Sequence, residues 1–116
     1  MAFRFEDLHV WQKAMDLGEQ VNQVTKSFPK DEIYILTSQI KRAADSVVLN
    51  IAEGSTGQSK AVYKVFLSYS LRSAIEVVSC LFIAKRRNYI HAEQFSILYN
   101  DYETLVKMIT ALKNSF

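Results

Sequence analysis

Apolar positions recur at helical spacing through nearly the whole chain. Val10, Ala14, Leu17, Val21 and Val24 alternate steps of four and three, the seam of an amphipathic helix expected over about residues 7–27. Pro29 cannot continue that ladder but suits the first turn of a new helix, where Asp31 and Glu32 favour the positive dipole end. A second helix, over about 30–53, takes Ile33, Leu36, Ile40, Ala43, Ala44, Val47 and Ile51 as its apolar face, with Gly54 as its stop. Ser59 is placed to cap a third, over about 59–87, on which Tyr63, Phe66, Leu67, Ser70, Leu71, Ala74, Val77, Val78, Leu81 and Ala84 repeat. The last, over about 92–114, buries Phe95, Leu98, Tyr102, Leu105, Ile109 and Leu112. Short connections favour antiparallel neighbours, so the chain is expected to be one all-α domain over residues 1–116, an up-down-up-down four-helix bundle.

The third helix carries more apolar surface than one core needs. Val62, Val65, Tyr69, Cys80 and Ile83 lie off its core stripe; Leu8, Trp11 and Met15 do so on the first helix, and Ile35 and Leu49 on the second. A monomer rarely exposes a large contiguous apolar patch, so these residues predict self-association.

Beside the apolar face of the second helix runs a polar line. Glu32, Gln39, Ser46 and Glu53 are seven residues apart, Arg42 and Asn50 fall between them, and the third helix offers Tyr69, Ser73 and Glu76 opposite. One reading makes Glu32, Glu53 and Glu76 a carboxylate cluster for metal binding or acid-base work. Di-metal bundles also need Glu-x-x-His pairs, and none of these glutamates is followed by a histidine at that spacing. The other reading is a structural network in which Arg42 satisfies Glu53 or Glu76 while Gln39, Ser46, Asn50 and Ser73 complete the hydrogen bonding.

Charge and chemistry alter this picture locally. The net charge is only +2, yet between Gly54 and Ala92 the bases are Lys60, Lys64, Arg72, Lys85, Arg86 and Arg87, against Glu76 as the only acid. Cations at a helix C-terminus complement its dipole, which accounts for the last three but not for Lys60 and Lys64. These six are the candidate contacts to a phosphate backbone. "GSTGQSK" has the wrong spacing for a nucleotide-binding P-loop and joins two helices. Cys80 is read as packing, and His9 and His91 as residues near helix starts. A single cysteine forms no internal disulfide and suits a reducing, cytoplasmic setting. Neither a secretory signal nor a membrane-spanning run is expected, and no cofactor is implied.

"FPKDEIYILTSQIKRAADSVVLNIAEG", followed by "FLSYSLRSAIE", resembles the signature of the four-helix-bundle proteins encoded in intervening sequences of bacterial 23S ribosomal RNA. Phe28, Pro29, Glu32, Tyr34, Leu36, Gln39, Arg42, Ser46, Asn50, Glu53, Gly54, Ser73 and Glu76 fall on its typical positions, and "FEDLHVWQKAMDL" is similar to its opening. The resemblance implies a left-handed antiparallel bundle assembled as a ring-like homopentamer with no established enzymatic activity. The distantly similar accessory proteins of diversity-generating retroelements bind nucleic acid and a reverse transcriptase. The chain departs from the pattern at Gln58, where arginine is common, and at Arg72, where glycine is common. The expectation is a non-enzymatic homo-oligomer that binds RNA or DNA by sequence-independent electrostatics, with a protein-interaction scaffold as the alternative.

Overall fold

The computed structural model describes residues 2–116. Its four helices are α1 (His9–Val24), α2 (Leu36–Gly54), α3 (Lys60–Arg86) and α4 (Ala92–Asn114). Each packs on the next and α1 returns to α4, forming an antiparallel bundle of 43 × 23 × 23 Å in which α2 and α3 share the largest contact. Val21, Ile40, Ile51, Leu67, Val77, Leu81, Leu105 and Ile109 are fully enclosed along its axis.

Two predicted boundaries are corrected. α1 ends at Val24 and tightens into a 3-10 turn, Thr25–Ser27. The second helix starts at Leu36, not near residue 30. Pro29 does open a turn, but Lys30–Glu32 is 3-10, Ile33 and Ile35 bond back only three residues, and Ile35 leaves helical geometry at φ −121°, ψ −99°. Ile33 therefore misses the core and is 52% exposed, beside Tyr34 at 90% and Ile35 at 64%.

α3 ends differently. Asn88 takes φ 61°, the Asn88 N–H bonds Lys85 O at 3.1 Å, and the Tyr89 N–H bonds Ala84 O at 2.9 Å. This is a Schellman closure, with asparagine tolerating the left-handed position that usually goes to glycine. It turns Tyr89 back toward the α1–α2 connection.

By length and composition alone α3 could cross a membrane, with a mean hydropathy of 1.5 over its most apolar window, a criterion that core helices of folded domains also meet. Its core stripe is engaged with α2 and α4, but only 33% of that window is buried inside the protomer. Cys80, read from sequence as part of the surplus surface, is buried.

Gly54 closes α2 without a positive φ, so conformational freedom is not what selects it. A Cβ there would stand 2.9 Å from Phe66 Cβ and 3.0 Å from Tyr63 Cδ1. Gly54→Ala is expected to destabilise the fold by about 1–3 kcal/mol through overpacking, despite alanine's better helix propensity. A urea midpoint equal to or above that of the parent protein would contradict this.

Candidate functional site

The polar line on α2 separates into three pieces, because residues 33–35 break the helix between Glu32 and Gln39. Gln39 donates its side-chain amide to the Glu76 carboxylate. Ser73 Oγ donates to Ser46 Oγ at 2.8 Å, and Asn50 Nδ2 donates to Ser46 O at 2.9 Å and Ser46 Oγ at 3.0 Å. Gln39, Arg42, Ala43, Ser46, Ser73 and Glu76 line a recess of about 270 Å³ between α2 and α3. Beneath it, Ser70 Oγ donates to Val47 O at 3.0 Å and is fully buried.

Arg42 satisfies neither carboxylate proposed for it. Arg42 and Glu53 lie eleven positions apart, roughly 16 Å along a helix at 1.5 Å per residue. Both are exposed, and neither side chain has a hydrogen-bond or ion-pair partner among the described residues. The three glutamates of the supposed cluster thus go to three places.

Glu32 is buried at one end of the bundle. Its carboxylate accepts from Arg87 Nη1 at 2.9 Å and from Tyr89 Oη at 2.7 Å, joining the α1–α2 and α3–α4 connections. Ser27 Oγ donates to Tyr89 O at 3.2 Å, and the Phe28 and Tyr89 rings lie 5.6 Å apart. The Tyr89 hydrogen bond is the main influence holding the Glu32 carboxyl below its ordinary pKa, with Arg87 adding to it; the same bond pushes the Tyr89 hydroxyl up. Tyr89 was not among the candidate residues. Its only sequence signal is its place directly after the asparagine that ends α3.

The six bases do not form one patch. Lys60 and Lys64 sit at one end of α3 and Lys85 to Arg87 at the other, roughly 40 Å away at 1.5 Å per residue. Arg87 is held by Glu32, and Lys85 Nζ stands 4.4 Å from the Phe95 ring centroid. Lys60, Arg72 and Arg86 are exposed and Lys64 half-buried, all without an ion-pair partner.

Of the apolar candidates, Leu8 and Trp11 pack against the core, Trp11 with its ring 4.8 Å from Phe5, and Val62 is half-buried. Met15, Ile35, Leu49, Val65, Tyr69 and Ile83 remain exposed, Leu49 at 59%. Tyr69 stands four residues before Ser73 and so borders the rim where the serines meet, whereas Leu49 lines a groove between α1 and α2 with Met15 and Val48.

Among the described residues, no three His, Cys, Asp or Glu side chains gather to hold a metal. One Glu-x-x-His spacing that sequence reasoning passed over, Glu6 to His9, lies at the start of α1; there the Glu6 carboxylate accepts the Phe3 N–H at 3.0 Å. Burial, then the charge of Glu76, pushes the Cys80 thiol up to about 11, which keeps it protonated and a poor nucleophile.

The family described as 23S rRNA-intervening sequence protein matches residues 6–111. A solved structure of a protein of unknown function from the S23 ribosomal protein family of Bacteroides thetaiotaomicron is similar, with a TM-score of 0.83 and 25% identity over 90% of this chain and 97% of that one. No curated protein is significantly similar in sequence.

The Glu32 clasp sets a pH dependence. Its folded pKa lies below the ordinary value of 4.5, so its stabilisation is complete above that value and is lost as pH falls through the lowered folded one. Glu32→Gln is expected to lower the urea midpoint at pH 7, with the gap to the parent protein closing toward pH 3. A gap independent of pH would show that ionisation of Glu32 does not matter.

Proposed function

Because the chain belongs to the 23S rRNA-intervening sequence protein family, we propose that it works as a non-enzymatic, homo-oligomeric helical module whose copies meet along the α2–α3 rim. The family resemblance sets the expected number of copies at five. The observation that carries this reading is the exposed strip of Val65, Tyr69 and Ile83 along one side of α3, with Arg42 and Glu53 exposed on α2 and without a partner in their own protomer. Two opposite charges stranded on one helix are complementary to a second copy of themselves. Burying the apolar strip against that copy supplies the driving force.

The charge pair makes the reading testable by reversal. Arg42→Glu and Glu53→Arg are each expected to weaken self-association about tenfold or more, and the double variant to recover much of it. Light scattering gives the masses. A parent protein of 13.3 kDa at micromolar concentration overturns the proposal.

Nucleic acid is the proposed cargo, through nonspecific phosphate contacts by Lys60, Lys64, Arg72 and Arg86, with Lys85 and Arg87 at the margin. Support comes from the lack of acidic partners for the first four and from the placement of Lys60 and Lys64 where the helix dipole does not favour them. Repetition around an assembly multiplies so dispersed a set. Binding of a labelled single-stranded RNA is expected to weaken at least tenfold between 50 and 200 mM salt. It should weaken again in Lys60→Glu/Lys64→Glu. Salt-insensitive binding, or a stoichiometric protein partner without nucleic acid, would favour the scaffold reading instead.

A further inference from the structure

The end of the bundle opposite the Glu32 clasp holds a recess of about 290 Å³ where the α2–α3 loop meets Arg4 and Phe116. Arg4, Gln58, Ser59, Lys60 and Tyr63 line it, and no aspartate or glutamate does. Three features converge there. The first is the N-terminus of α3, a helix of 27 residues. Ser59 Oγ caps the Val62 N–H at 3.1 Å, which leaves the Lys60 and Ala61 N–H groups in the first turn, where a helix offers no backbone acceptor. Gly57, at φ 84°, supplies the left-handed turn that leads the loop into this end.

The second feature is charge. Lys60 comes from the helix itself and Arg4 from a 3-10 turn far away in sequence, with the Arg4 guanidinium 5.7 Å from the Tyr63 ring centroid. Neither has a carboxylate partner. The third is Tyr63, 5% exposed, whose hydroxyl has no hydrogen-bond partner although its ring is fixed 4.8 Å from that of Phe116. A buried, unpaired hydroxyl is disfavoured unless something answers it.

We propose that this recess binds a phosphate group, held by the α3 N-terminus, Arg4, Lys60 and the Tyr63 hydroxyl. Helix N-termini suit phosphate because their free N–H groups and dipole act together, and a guanidinium adds paired donors. The recess stands apart from the nonspecific contacts suggested for the other bases, since it takes a single phosphate group whether or not the protein tracks a nucleic-acid backbone.

The test is a titration of the isotope-labelled full chain with inorganic phosphate, followed by amide NMR, with chloride at matched ionic strength as the control. Saturable shifts are expected at Gly57 to Ala61 with phosphate and not with chloride. Arg4→Gln should weaken binding about tenfold or more, as loss of a charged hydrogen bond does. Tyr63→Phe should weaken it severalfold while leaving the unfolding midpoint at or above that of the parent, because the ring packing stays and the orphaned hydroxyl goes. No saturable shift, or shifts that neither substitution alters, would overturn the site. A short oligonucleotide with and without a 5′-phosphate then distinguishes the source: response to both supports the site with a backbone phosphate, and response only to the phosphorylated form supports it with a terminal one.

Discussion

α2 and α3 lie closely side by side because small groups line their contact. Gly54 leaves room for Tyr63 and Phe66, Ala43 is buried beside the α2–α3 recess, and Ser70 spends its hydroxyl on the Val47 carbonyl across the contact. A larger side chain at any of these places would separate the helices, and the packed interior yields little to added volume. The serine bond also fixes the register, because sliding α3 along α2 would strand a buried hydroxyl. Ser46, Ser73, Gln39 and Glu76 follow from that register and close the rim above it.

Once α2 and α3 are set, the two ends of the bundle take different characters. At one end the Schellman turn at Asn88 aims Tyr89 at Glu32, and Arg87 joins them, so two connections are tied by one carboxylate. At the other, the α2–α3 loop is left open beside the N-terminus of α3, with Arg4 and Lys60 but no aspartate or glutamate side chain lining it. Along the side, Arg42 and Glu53 are exposed with no partner in the protomer, and Leu49 and Tyr69 stay exposed too, although the Tyr69 ring meets Phe66 edge-on at 5.8 Å. Stability is thus concentrated in the seam and clasp, and the surfaces offered to partners lie beyond them.

The helices were legible because their apolar residues keep helical spacing, and the residues that line the axis are those the spacing chose. Ile33 was misplaced because the pattern runs through Pro29 without showing that the following turn is 3-10. The same break removed Glu32 from the heptad line and sent it to Tyr89, a partner 57 residues away that no local pattern could reveal. Gly54 was read as a helix stop for its backbone, whereas its neighbours require its lack of a side chain. The six bases looked like a group in sequence, but a single long helix carries five of them to opposite ends and leaves Arg72 in the middle. Arg4 entered no candidate set, since only folding brings it to Lys60.

If the α2–α3 contact holds the bundle together, native-state hydrogen exchange provides the most direct test. Amides around Val47 on α2 and Ser70 to Ala74 on α3 should be the slowest in the chain and should exchange only through global unfolding, with the same denaturant dependence as the whole protein. Exchange at those amides through a smaller opening, while α1 and α4 stay protected, would contradict it.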